Sequence, residues 1–126
     1  MFKYYNANPF GRRINDCTVR AISLATNRTW NETYDELSDF ARMQGSMFDD
    51  VAYIDKYLEE RFDKIYTIDK RNKITVKEFA HCHPFGTYLI TMNGHITCCI
   101  DGTIYDTFYP GDRLVWDAYE IKKKRY

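Results

Sequence analysis

No stretch of the 126-residue chain is apolar for more than a few residues, far short of the roughly 20 that a membrane-spanning helix needs. Neither sign of charge is in excess. Lysine plus arginine and aspartate plus glutamate each number 18, so the formal net charge is zero. That balance argues against a protein held on nucleic acid by a broad positive field. Proline and glycine are sparse, at 3 and 6 residues, and no linker, repeat or low-complexity segment divides the chain. The opening MFKYYNANPFGRR lacks the apolar core of a cleavable signal, so a cytoplasmic location is expected. In a reducing compartment Cys17, Cys82, Cys98 and Cys99 are then free thiols rather than a disulfide framework. A phosphate-cradling Gly-rich loop, a Ser nucleophile elbow and a paired-carboxylate glycosidase signature are all missing.

What is present is a single folding unit over residues 1–126. Apolar residues make up 44% and aromatics 17% of the chain, too rich for disorder and enough to build one core. Residues 1–15 read as an irregular leader punctuated by Asn8-Pro9 and Gly11. Asp16 occupies an N-cap position before a short helix over about 17–26, with Val19, Ile22 and Ala25 on one face. Thr29-x-x-Glu32 is a capping box opening a second helix, whose Trp30, Tyr34, Leu37 and Ala41 recur at helical spacing before Gly45. A third helix starts near Asp49 or Asp50, with Val51, Ile54, Leu58 and Phe62 as its stripe. Lys64–Ile68 suits a short strand, and Thr75-x-x-Glu78 caps a helix that ends before Pro84. From Gly86 the period changes to two. Thr87–Met92, His95–Ile100 and Thr103–Phe108 are separated by Asn93-Gly94 and Asp101-Gly102, the strongest short hairpin signals. Arg113–Ile121 can add a further strand, and Lys122–Tyr126 is a basic tail. Helices followed by an antiparallel meander make the fold class α+β.

The meander has a chemical consequence. Two-residue turns pair Ile100 with Thr103 and Thr97 with Asp106, which puts His95, Thr97 and Cys99 on one face beside Ile104, Asp106 and Phe108. His95 and Asp106 become diagonal neighbours within hydrogen-bond reach, and a one-residue slip would separate them. Cys17, in the first turn of a helix, feels the unsatisfied N–H groups and the positive end of the dipole, which favour thiolate. Together these are the parts of nucleophilic acyl chemistry: thiolate to attack, imidazolium to protonate the leaving group, carboxylate to orient the ring. The Cys17 backbone N–H and one more donor would hold the oxyanion.

Asp16-Cys17-Thr-Val-Arg-Ala-Ile near the start, with the later Gly94-His95-Ile-Thr-Cys-Cys-Ile-Asp-Gly-Thr-Ile-Tyr-Asp106, resembles the small papain-like cysteine peptidase fold. The similarity is greatest to compact phage and bacterial proteins with an Asn-Pro…Asp-Cys-x-x-Arg-Ala segment, and spans roughly residues 6–110. It implies Cys17 as nucleophile, His95 as base and Asp106 as orienting residue, with the cysteine helix packed on the sheet that carries the other two. It also implies a phage or prophage protein working in a bacterial or infected-host cytoplasm on a peptide, protein or other amide or ester. The family's usual glutamine, about six residues before the nucleophile, is replaced here by Gly11, and the only glutamine is Gln44. Asn15 and Asn8 are the nearest amides that could take its place. A peptidase, amidase, deamidase or acyltransferase all fit this pattern.

Other readings compete. The same fold could serve as a non-catalytic factor engaging a host protein, or the basic Arg12-Arg13 and tail with abundant Tyr and Phe could form a small nucleic-acid-binding module. The aromatics, however, fall mostly at amphipathic core positions. His81-Cys82-His83 with Cys98-Cys99 lacks the spacing of a zinc site, and adjacent strand cysteines point to opposite faces, so neither metal nor cofactor is expected.

Overall fold

The computed structural model describes residues 1–122, apart from the side chain of Val51. The basic tail beyond Lys122 and the Val51 position of the third-helix stripe lie outside the described residues. The fold is α+β, with four helices and a six-stranded sheet among the described residues. The elements run β1 (Phe2–Tyr4), α1 (Cys17–Ala25), α2 (Trp30–Met43), α3 (Val51–Arg61), β2 (Asp63–Thr67), α4 (Val76–Cys82), β3 (Thr87–Met92), β4 (His95–Ile100), β5 (Thr103–Asp106) and β6 (Asp117–Ile121). The sheet order is β1-β5-β4-β3-β6-β2.

Both capping boxes form. Thr29 accepts from the Glu32 amide while Glu32 accepts from the Thr29 amide, and Thr75 and Glu78 do the same at α4. The meander β3-β4-β5 is antiparallel in the expected register, with Ile100 opposite Thr103 and Cys99 opposite Ile104. Asp101 and Gly102 both take positive φ, 50° and 77°, the conformation that matches a tight turn to the twist of its strands.

Three elements depart from the sequence-based expectation. The leader opens with strand β1, which pairs in parallel with β5, Tyr4 opposite Asp106, so the sheet is mixed rather than antiparallel throughout. The third meander strand stops at Asp106 instead of running to Phe108. Of Arg113–Ile121 only Asp117–Ile121 joins the sheet; the preceding residues turn onto the approach to α4, where the Val115 amide donates to the Ile74 carbonyl.

The sheet is covered on both faces by helices of the same chain. On one side Val19 and Ile22 of α1, Leu37 of α2 and Leu58 of α3 meet Leu89, Ile96 and Cys98. On the other, Val76 and Phe79 of α4 meet Tyr88, Ile90, Cys99 and Ile104. Each fully buried leucine or isoleucine stabilises the fold by about 1.5–3 kcal/mol. Cys98 and Cys99 do point to opposite faces. Fewer aromatic rings are buried than the sequence suggested. Phe40, Tyr53, Tyr57, Phe79, Tyr88 and Tyr119 are buried, but Phe2, Tyr4, Tyr5, Phe10, Tyr34, Phe85, Phe108, Tyr109 and Trp116 are exposed. The first three of these exposed rings belong to edge strand β1 and the residue after it, which present them to solvent rather than to either core.

Thr29→Ala removes the hydroxyl side of the α2 capping box and leaves the Glu32 amide unpaired. It should lower stability by about 1 kcal/mol, read as a drop in the urea unfolding midpoint with an unchanged slope.

Candidate functional site

The site forms where the first turn of α1 meets the start of β4. Helix α1 lies along β4 and β3, which brings Cys17 to the amide of Ile96 and the ring of His95. His95 is the first residue of β4, and its Nε2 lies 2.6 Å from Asp106 Oδ2, with both side chains almost fully buried. That contact leaves Nδ1 as the ring nitrogen available to the thiol. Phe108, just past the end of β5, tilts against the imidazole with ring centroids 4.7 Å apart.

Asp106 divides its two oxygens. While Oδ2 holds the imidazole, Oδ1 accepts from the Thr107 amide at 2.7 Å and from Arg20 Nη1 at 3.4 Å. The backbone is pinned as well, because the Tyr5 amide donates to the Asp106 carbonyl at 2.9 Å. Strand β1, absent from the sequence reading, and the residue after it therefore hold the backbone of Asp106 in place.

A second buried carboxylate backs the first. Asp16 stands at the N-cap position of α1 without capping it. Its Oδ1 instead accepts from Arg20 Nε at 2.8 Å, and its Oδ2 from Trp30 Nε1 at 2.9 Å and Asn8 Nδ2 at 3.3 Å. Arg20 thus bridges Asp16 and Asp106 and also donates to Thr107 Oγ1 at 2.9 Å. Residue-by-residue reading missed Arg20 as a site residue, although its spacing of four from Asp16 was in plain view.

The two amides proposed for an oxyanion site part company. Asn8 is buried and fully engaged: its oxygen accepts from the Phe10 and Arg12 amides, and its nitrogen donates to Asp16. It shapes the leader rather than facing the thiol. Asn15 lines a cavity of about 380 Å³ together with Cys17, His95, Arg20 and Phe108. Its side chain makes no hydrogen bond among the described residues.

The surroundings set the charges. Burial opposes ionisation of His95, but the hydrogen bonds and charges of Asp106 and Cys17 prevail and push its pKa up to about 9. Burial likewise opposes the Cys17 thiolate, and hydrogen bonding to His95, its charge and the Ile96 amide outweigh it, so the pKa falls. Asp106 is held below the usual carboxylate range, burial being overcome by His95 and Thr97. Cys98 and Cys99 go the other way, both raised by burial, Cys99 to about 11. Cys17 is thus set apart from the sheet cysteines as the one poised to ionise. Among the described residues no group of three or more metal-binding side chains comes together, and no helix is long and apolar enough to cross a membrane.

Comparison of the chain with models of known families, with curated proteins and with solved structures finds no match.

Arg20→Met would leave two buried carboxylates short of a partner and should cost about 3–5 kcal/mol, measurable by urea unfolding at neutral pH. The imidazole gives a second prediction. An unfolded histidine titrates near 6.5, below the folded value of about 9. The stabilisation from its partners is therefore complete below about pH 6.5 and is lost as pH rises through about 9. Raising the pH over this range should lower the wild-type unfolding midpoint more than that of His95→Gln.

Proposed function

We propose that the protein is a thiol hydrolase or acyltransferase of papain-like type, with Cys17 as nucleophile, His95 as proton shuttle and Asp106 as orienting group. The observation that carries this reading is the buried Asp106–His95 pair, 2.6 Å apart, with Cys17 lining the same open cavity as His95. Three such groups in series satisfy the needs of acyl transfer better than those of packing, since a buried imidazole with no task is more cheaply replaced by an apolar ring.

In the first half-reaction the Cys17 thiolate attacks the carbonyl carbon of an amide or ester, and the C=O electrons move to oxygen. The N–H groups of the first turn of α1, which have no intrahelical acceptor, face the developing charge, with the Asn15 amide as second donor. Collapse of this adduct breaks the bond to the leaving group as the His95 imidazolium gives it a proton, leaving a Cys17 thioester and neutral His95. Water, or an amine in a transferase, then loses a proton to His95 and attacks the thioester. Expulsion of Cys17 restores thiolate and imidazolium. Asp106 fixes the ring so that Nδ1 faces the sulfur, and it stabilises the cation of the resting state.

Alkylation by iodoacetamide, followed residue by residue by mass spectrometry, tests the ion pair. Cys17 should label rapidly at about pH 6, well below an ordinary thiol pKa of about 8.5, and His95→Ala should slow it by tenfold or more with folding retained. Labelling at the rate of a simple exposed thiol, or equal protection in both proteins, would sink the enzymatic reading and favour a binding protein on the same fold.

A further inference from the structure

Among the described residues, the cleft beside Cys17 is lined by three arginines, Arg13, Arg20 and Arg113, and by no aspartate or glutamate. They are not equivalent. Arg20 is consumed by Asp16 and Asp106 behind the site. Arg13 donates only to the neutral Thr107 carbonyl, at 3.3 Å, and Arg113 lies over the Phe108 ring, 5.1 Å from its centroid. Neither forms an ion pair among the described residues, and both are exposed. The backbone of Arg113 is fixed from both sides, its amide donating to Pro110 and its carbonyl accepting from Val76, at 3.0 and 2.9 Å. Its position at the rim therefore belongs to the fold rather than to a loose loop.

A planar guanidinium offers a fork of donors that matches a carboxylate, and two at one mouth with no competing acid form a site of one sign. Ile14 and Phe108 supply apolar surface in the same cleft. On the proposed thiol chemistry, we propose that the enzyme selects acyl substrates bearing a carboxylate within one side chain's length of the reacting carbonyl, held by Arg13 and Arg113. A peptide with glutamate at the acyl residue has this chemistry.

Iodoacetate and iodoacetamide differ by that one charge and attack the same thiolate, so the ratio of their rates cancels the extent of ionisation. At Cys17 the ratio should exceed that of 2-mercaptoethanol, a neutral reference thiol, and decline with added salt. Arg13→Gln and Arg113→Gln should each lower it by about 1.4- to 5-fold, the range for exposed ionic contacts, while lysine at either position restores part of it. A peptidyl vinyl sulfone with Glu next to the electrophile should outrun its Gln counterpart by a similar factor. In that reaction the thiolate adds to the vinyl carbon bonded to the peptide, β to the sulfone, and the carbon bonded to the sulfonyl group takes a proton from the imidazolium.

A ratio equal to that of the reference thiol overturns the proposal, and so does a preference that survives both arginine substitutions, which would come from the imidazolium alone. The absolute rate with iodoacetamide at low pH judges the thiolate separately. Fast labelling with a flat ratio rejects only the carboxylate preference, whereas slow labelling with an arginine-dependent ratio rejects the hydrolase and keeps the anion site.

Discussion

A carboxylate and an imidazole 2.6 Å apart, with 3% and 6% of their side-chain surfaces exposed, impose conditions on much of the surrounding structure. Charges removed from water to this extent are tolerated only when each is paired and its remaining hydrogen-bonding positions are filled. Asp106 meets the condition with His95 on one oxygen and the Thr107 amide and Arg20 on the other. Arg20 in turn needs α1 placed so that its guanidinium reaches past the sheet, and α1 needs Asp16 as the counterweight to that cation. The first turn of α1 is fixed as a result, and Cys17 is delivered to the imidazole. Replacing Arg20 alone leaves two buried carboxylates short of a partner. The site and the packing of α1 on the sheet are for that reason stabilised together.

Much of this was legible where the controlling physics is local. Asn93-Gly94 and Asp101-Gly102 specify tight turns, tight turns specify register, and register makes His95 and Asp106 neighbours. The capping boxes and the opposite facing of Cys98 and Cys99 follow from equally short-range rules. What escaped is decided over distance. Strand β1 has three residues, all exposed, so it carries no hydrophobic alternation; it exists because β5 offers an unpaired edge about a hundred residues later. The third meander strand ends at Asp106 because that side chain takes the Thr107 amide for itself. Asp16 has the residue type and position of an N-cap, but Arg20 and the Trp30 indole outcompete the helix amides for its oxygens. Asn8 was a reasonable amide by spacing, and the turns of the leader and Asp16 absorb it before it can face the thiol.

The charges around the cleft are layered by depth, and the layering bears on what the site can bind. Both carboxylates, Asp16 and Asp106, are buried behind the thiol, while Arg13 and Arg113 stand at the rim. Arg20 between them neutralises part of the negative charge, so the arrangement does not depend on His95 as the sole counterion to Asp106. A protonated His95 can then be shared with Cys17, which is what draws the thiol pKa down. With the acids screened in this way, an incoming group at the mouth meets imidazolium and guanidinium before it meets any carboxylate. An anionic ligand would approach down that gradient, and a cationic one against it. The contacts of Asp106 that favour a charged His95, and through it the proposed thiolate, thus belong to the same charge arrangement as the guanidinium groups at the mouth, and the two could not be varied independently without rebuilding the contacts of Arg20.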